Sequence, residues 1–84
     1  MSDADLETMQ PDKVVDARGM ACPGPLLEAK KAIGTIQVGQ TVEIRSGDPS
    51  TKNDIPTWAA KVGHEYLGAA QGDGYDRIFV RRGK

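Results

Sequence analysis

The stretch Met20-Ala21-Cys22-Pro23-Gly24-Pro25-Leu26 decides the fold, because the residues that follow it recur at helical spacing. Leu26, Ala29, Ile33 and Ile36 form an apolar stripe, so a first helix is expected from about Pro23 to Ile33, with Gly34 as its stop. Proline suits a first turn because the amides there have no intrahelical partner. Cys22, the only cysteine among 84 residues, therefore falls at the cap end of the helix. Free N–H groups and the helix dipole favour an anion at that end. A thiol so placed is expected to ionise below the free value of about 8.5, and the thiolate is the nucleophilic form. Lone cysteines are more often small buried hydrophobes. Three features argue otherwise here: the loop-to-helix junction, the proline that follows at once, and a position outside the apolar stripe.

Outward from this stretch, Lys13-Val14-Val15-Asp16 reads as a short strand and Arg18-Gly19-Met20-Ala21 as the loop into the cysteine. Lys30 and Lys31 fall in the last turns of the helix, where cations suit the dipole. Val38-Gly39-Gln40 is a turn, and Thr41 to Arg45 alternates, with Val42 and Ile44 inward and Glu43 and Arg45 outward. A capping-rich loop, Ser46 to Thr51, leads to a second helix whose stripe is Ile55, Trp58, Ala59 and Val62. Its start has two readings: Asp48 caps with Pro49 in first position, or Asp54 marks a later start with Pro56 in the first turn. Gly63 ends it. A third strand runs from His64 to about Gln71 and Gly72-Asp73-Gly74 is a hairpin turn. The fourth strand, Tyr75 to Arg82, puts Ile78 and Val80 on one face and Arg77, Phe79 and Arg81 on the other. The expected fold is α+β: a two-layer sandwich of βαβαββ order, two helices on one face of a four-stranded mixed sheet.

Eighty-four residues make one domain. Residues 1–12 carry four acids and no base and read as a disordered acidic tail, so the domain proper is 13–84. The remaining 8 acids face 11 bases, which leaves the body at +3 against a whole-chain charge of −1. A deep pocket for a large cofactor is hard to build from so short a chain, and none is expected. No apolar run approaches the length of a membrane span, no leader is evident, and a single cysteine makes no internal disulfide, so a cytoplasmic protein is expected.

The cysteine's surroundings exclude several chemistries. A dithiol oxidoreductase needs a resolving sulfur three residues on, where Pro25 stands. One cysteine and one histidine cannot supply a zinc site, so no metal is expected. Cys/His hydrolysis needs His64 beside Cys22, but His64 follows the second helix and is expected at the far end of the fold. Secondary candidates border the cysteine: Arg18, whose charge would favour a thiolate; Asp48, read chiefly as a helix cap; and Lys52. Trp58 is read as core. Arg77, Arg81, Arg82 and Lys84 form a basic cluster, read chiefly as a solvated sheet face and tail.

The Cys22-Pro23-Gly24-Pro25 run, the segment Gly47-Asp48-Pro49-Ser50-Thr51, Asp54-Ile55-Pro56 and the Gly63-His64 ending together resemble the TusA/SirA-like sulfur carriers, over about residues 13–82. The resemblance implies the same βαβαββ sandwich. It implies that Cys22 carries sulfane sulfur as a persulfide, with Pro23, Gly24 and Pro25 supporting it. Implied partners are a protein donor, either a cysteine desulfurase or a rhodanese, and a protein acceptor in tRNA thiolation, cofactor synthesis or sulfur oxidation. Such a carrier acts stoichiometrically rather than as a true catalyst. Some members carry a further cysteine in the second helix, where Trp58 and Ala59 stand here, which argues against a mechanism needing two thiols on one chain. Two rival readings come from other classes. A nucleic-acid-binding or regulatory module is disfavoured by the few aromatic residues, so no direct nucleic-acid contact is expected. A thiol redox sensor would require oxidation of Cys22 to change a partner or oligomer state.

Overall fold

The computed structural model describes residues 11–21, 24–72 and 74–84. Strand β1 spans Lys13–Ala17, helix α1 Gly24–Ile33, strand β2 Thr41–Ser46, helix α2 Thr51–Val62, strand β3 Glu65–Gln71 and strand β4 Asp76–Arg81. The sheet order is β1-β2-β4-β3. β1 runs parallel to β2, and β4 is antiparallel to both β2 and β3, so the sheet is mixed as expected.

Alternation assigns the two faces. Val15 and Ala17 of β1, Val42 and Ile44 of β2, and Ile78 and Val80 of β4 are buried against Ala29, Ala32 and Ile33 of α1 and Ile55 and Ala59 of α2. Pro25 is also fully buried, so the residue that opens α1 is part of its packing face. The α1 end is closed by Thr35, whose N–H and hydroxyl both donate to the Ala32 carbonyl, at 3.0 and 2.7 Å. Helix α2 ends at Gly63, whose φ of 87° is the left-handed cap that glycine adopts without strain.

The second face is not the solvated surface that its sequence suggests. Phe79 is fully buried there beside Ala70 and Leu67, and Glu43 is 1% exposed. Glu43 accepts hydrogen bonds from Arg45 and, at 2.8 Å, from Arg77. Burial pushes the Glu43 carboxyl up, but the bonds from Arg77 and Arg45 outweigh it and hold it below the usual carboxylate range. The Arg77 guanidinium lies over the Phe79 ring, 5.4 Å from its centroid.

Four sequence expectations change. Trp58 is half-buried, not core: it packs at the margin of the apolar cluster and against the His64 ring at 5.3 Å. Val62 is 40% exposed. Neither start proposed for α2 is the observed one, for the helix begins at Thr51 with Pro56 in its interior. The basic cluster is dispersed: Arg77 pairs with Glu43, Arg81 with Glu65, and Arg82 donates to the Ile36 carbonyl on the α1–β2 connection. The tail expected over residues 1–12 falls on 1–10, outside the described residues, and on Pro11 and Asp12. Asp12 is tied to β2, donating its N–H to the Thr41 carbonyl and accepting the Thr41 N–H on Oδ2. Asp73 of the expected hairpin turn is also outside the described residues; the flanking Gly72 donates its N–H to the Tyr75 carbonyl at 2.7 Å.

Ile44→Ala, at a fully buried site on β2, should lower unfolding free energy by about 2–5 kcal/mol in urea titrations. Trp58→Ala should cost less, because one side of the indole already faces water.

His64 is occupied structurally. Its Nδ1 accepts the Gly83 N–H at 3.0 Å, which holds the C-terminal residues against the α2–β3 corner. Burial, with the charges of Arg82 and Lys84, lowers its pKa from 6.5. The unfolded chain therefore takes up this proton first as pH falls. The stabilisation is complete above about 6.5 and is lost as pH drops through the folded value. Denaturation midpoints should fall with pH below 6.5, and His64→Gln, which cannot titrate, should flatten that slope.

Candidate functional site

Parallel pairing sets Ala17 level with Ser46, so β1 and β2 end together and both helices start from that end of the sheet. The two loops adjoin: a Cβ placed on Gly47 would lie 3.2 Å from the Arg18 carbonyl oxygen. The N-termini of α1 and α2 thus share one edge, and no acidic residue occupies the first turn of α1. Free amide ends and two positive dipole ends make this edge favourable to an anion.

Cys22 and Pro23, the centre of the expected site, lie outside the described residues. What brackets them is described. The Gly24 N–H donates to the Ala21 carbonyl at 2.8 Å, which ties the end of the loop to the first residue of α1. Gly24 lies tight against Met20: a Cβ there would meet the Met20 Cβ at 2.9 Å, too close without movement of the loop. Gly24 and Pro25 therefore have a packing role at the helix start, where the sequence alone marks them only as part of the motif.

Arg18 is exposed and paired. Its Nε and one terminal nitrogen donate to the two Asp16 carboxylate oxygens, each at 2.8 Å. Its guanidinium also lies 5.0 Å from the Tyr75 ring centroid, with that of Arg45 at 6.0 Å from the same ring. The hydrogen bonds from Arg18 lower the Asp16 carboxyl from 3.8 to about 2. The positive charge expected to favour a thiolate is thus largely matched by its own neighbour. Tyr75 is absent from the sequence-derived candidates; only the β3–β4 turn brings it to Arg18, and no local signal reports that contact.

Asp48 organises the turn before α2. Its Oδ1 accepts the Ser50 N–H and hydroxyl, both at 2.9 Å, and its own N–H donates to Ser46 Oγ. Ser46 Oγ lies 2.8 Å from Thr51 Oγ1, a buried hydroxyl pair that joins the end of β2 to the start of α2. Lys52, on the first turn of α2, pairs with Asp76 at 3.7 Å. Arg18, the Asp48 turn and Lys52 are all brought to one sheet end, for Asp76, the partner of Lys52, stands opposite Ser46 at the start of β4. The described residues contain no group of three or more His, Cys, Asp or Glu side chains able to hold a metal.

In Arg18→Gln, the Asp16 carboxyl should titrate near 3.8 instead of about 2 when followed by carbon-detected NMR. The associated stability, present above about 3.8 and lost as pH falls toward 2, should disappear from the acid limb of the melting profile.

The family model described as sulfurtransferase TusA matches residues 13–82. A protein of Archaeoglobus fulgidus named "Putative sulfur carrier protein" is 46% identical over 69 residues, which cover 82% of this chain and 94% of that one. The Bacillus subtilis protein YrkI, of the same name, is 35% identical over 75 residues, covering 89% of this chain and all of its own. The crystal structure of a SirA-like protein from Desulfitobacterium hafniense superposes with a TM-score of 0.69 at 25% identity, covering 86% of this chain and 99% of that one. With the βαβαββ sandwich in common and a family match across nearly all of the described domain, the chain belongs to the TusA family.

Proposed function

We propose that this protein is a sulfur carrier, that it accepts sulfane sulfur as a persulfide on Cys22, and that it relays this sulfur to an acceptor protein. The observation that carries the reading is the placement of the sole thiol in the sequence, two residues before the first residue of a helix with no acid in its first turn. Membership of the TusA family and the names of the two relatives support it.

The chemistry is two successive displacements. The Cys22 thiolate attacks the outer sulfur of a donor persulfide. A sulfur–sulfur bond forms at Cys22, the donor's sulfur–sulfur bond breaks, and the donor leaves as a thiolate. An acceptor thiolate then attacks the terminal sulfur on Cys22 and releases Cys22 as a thiolate. Each step exchanges one sulfur–sulfur bond for another, so no external oxidant or reductant is consumed. The anion-favouring edge formed by the two helix starts suits both the thiolate and the persulfide. With a single thiol, the persulfide has no resolving partner on the same molecule and awaits a second protein.

The donor would be a cysteine desulfurase or a rhodanese. A reducing, cytoplasmic setting suits a thiol that must remain free between transfers. No helix among the described residues is long and apolar enough to cross a membrane. A nucleic-acid role is disfavoured by the pairing of the strand arginines, since Arg77 and Arg81 face Glu43 and Glu65 instead of an open basic stripe.

Incubation with a cysteine desulfurase and cysteine, or with inorganic polysulfide, should add one or more sulfur atoms to the intact mass, and dithiothreitol should remove them. Cys22→Ser should gain none. Sulfur retained on the serine variant would overturn the assignment.

A further inference from the structure

We propose that the groove between α1 and α2 is the docking surface for the partner protein, and that it takes a segment with an apolar side chain followed by carboxylates. This rests on the carrier reading above. The groove has a volume of about 320 Å³. Leu26 and Lys30 form one wall and Asn53, Asp54, Thr57, Trp58 and Lys61 the other.

Three observations support a protein occupant of this chemistry. First, the groove has an apolar middle. Leu26 and Trp58 are both only half-buried by the core, and the indole is supported from behind by the His64 ring. Its exposed side is therefore a fixed surface, the kind of anchor site on which interfaces concentrate their binding energy.

Second, the lining is net positive, with Lys30 and Lys61 against the single carboxylate of Asp54. Of the four helix lysines, Lys31 pairs with Glu28 and Lys52 with Asp76. Lys30 and Lys61, which line the groove, make no ion pair among the described residues. Both are complementary to carboxylates on an incoming chain, and such charges set the rate and orientation of encounter.

Third, the groove lies where a sulfur-transfer partner must lie. Both helices leave the same sheet end, so the Leu26–Asn53 end of the groove opens beside their starts and the Lys61 end points away. Leu26 is four residues beyond Cys22 in the chain. A partner that brings a sulfur to Cys22 covers the start of α1, and its neighbouring segment then runs down the groove from the apolar middle to the lysines.

Trp58 is the only tryptophan, so its fluorescence reads the groove directly. The probe is an acetylated acidic peptide with one central leucine; its control replaces every acid with lysine. The acidic peptide should shift Trp58 emission saturably, and the amide shifts in ¹⁵N spectra should centre on Leu26, Lys30, Thr57 and Lys61. The control should do neither. Lys30→Glu/Lys61→Glu should bind the acidic peptide about tenfold more weakly at low salt, with the difference shrinking as salt rises. Both lysines are exposed, so the variant should melt as the parent does. With a cysteine desulfurase as donor, the variant should load more slowly, while loading from inorganic polysulfide is unchanged.

Peptide shifts centred instead on the depression between β1 and α1, at Val14, Glu28 and Thr35, would overturn the proposal. So would equal binding of both peptides, or a salt-dependent dimer whose interface occupies the groove. If Cys22 loads from neither donor, the carrier reading falls, and the peptide titration still decides the groove.

Discussion

The parallel pairing of β1 with β2 is the constraint on which the site depends. Parallel neighbours cannot be joined by a tight turn; the chain must cross back over the sheet, and a helix is the economical way to do so. Here α1 makes that crossing. Its start is consequently held at the C-terminal end of β1, and the Ala17–Ser46 register brings β2 to the same level before the chain enters α2. Two helix starts then share one edge, with no residue dedicated to bringing them together. Gly47, close against the Arg18 carbonyl, and the Ser46–Thr51 hydroxyl pair maintain the arrangement at close quarters. An anion-favouring edge is thus a consequence of topology, and the cysteine motif is placed in the sequence to meet it.

The far face of the sheet depends on a different balance. β4 lies between β2 and β3, and both of its faces are buried: Ile78 and Val80 under the helices, Phe79 on the other side. The aromatic ring on that side is covered by the Arg77 guanidinium, which is in turn held by Glu43. Glu43 is nearly inaccessible yet stays ionised because two arginines donate to it. Removing either arginine would leave a buried carboxylate short of partners, which is more costly than losing an exposed ion pair. The basic residues of β2 and β4 are therefore committed to closing the sheet, whereas Lys30 and Lys61 on the helix layer make no ion pair among the described residues and are open to another molecule.

Most of the architecture was legible because it rests on local periodicity. The α1 stripe, the alternation of Val42 and Ile44, and the opposition of Ile78 to Phe79 each need only a few neighbouring residues, and all appear as expected. The features that were misread depend on contacts between distant segments. Trp58 shares a helical stripe with Ile55 and Ala59, but it sits at the edge of the helix layer, and the stripe does not say where the layer ends. Glu43 has the outward parity of a solvated residue; its burial follows from Arg77, which is 34 positions away. Asp48 combined a cap-like sequence with a different role: its carboxylate orders the preceding turn through Ser50, and the helix starts at Thr51. At the candidate site, the motif was legible as a string, whereas the Met20–Gly24 packing and the approach of Tyr75 to Arg18 arise only in the folded chain.

These features bear on how a domain of this size achieves selectivity. A deep pocket encloses its substrate and recognises it from all sides, but the depressions between β1 and α1 and between α1 and α2 are open grooves. A sulfane sulfur is in any case too small and too featureless to be selected by shape. On the carrier reading, discrimination must fall on the protein that presents the sulfur, and an interface does this with one buried anchor and a rim of charge. The α1–α2 groove has both elements, the exposed side of Trp58 and the lysines Lys30 and Lys61. It also lies on the helix whose start the cysteine precedes. Recognition and chemistry would then be coupled through α1 itself: a partner seated on its side is already aligned with its end, and no movement within the carrier is required.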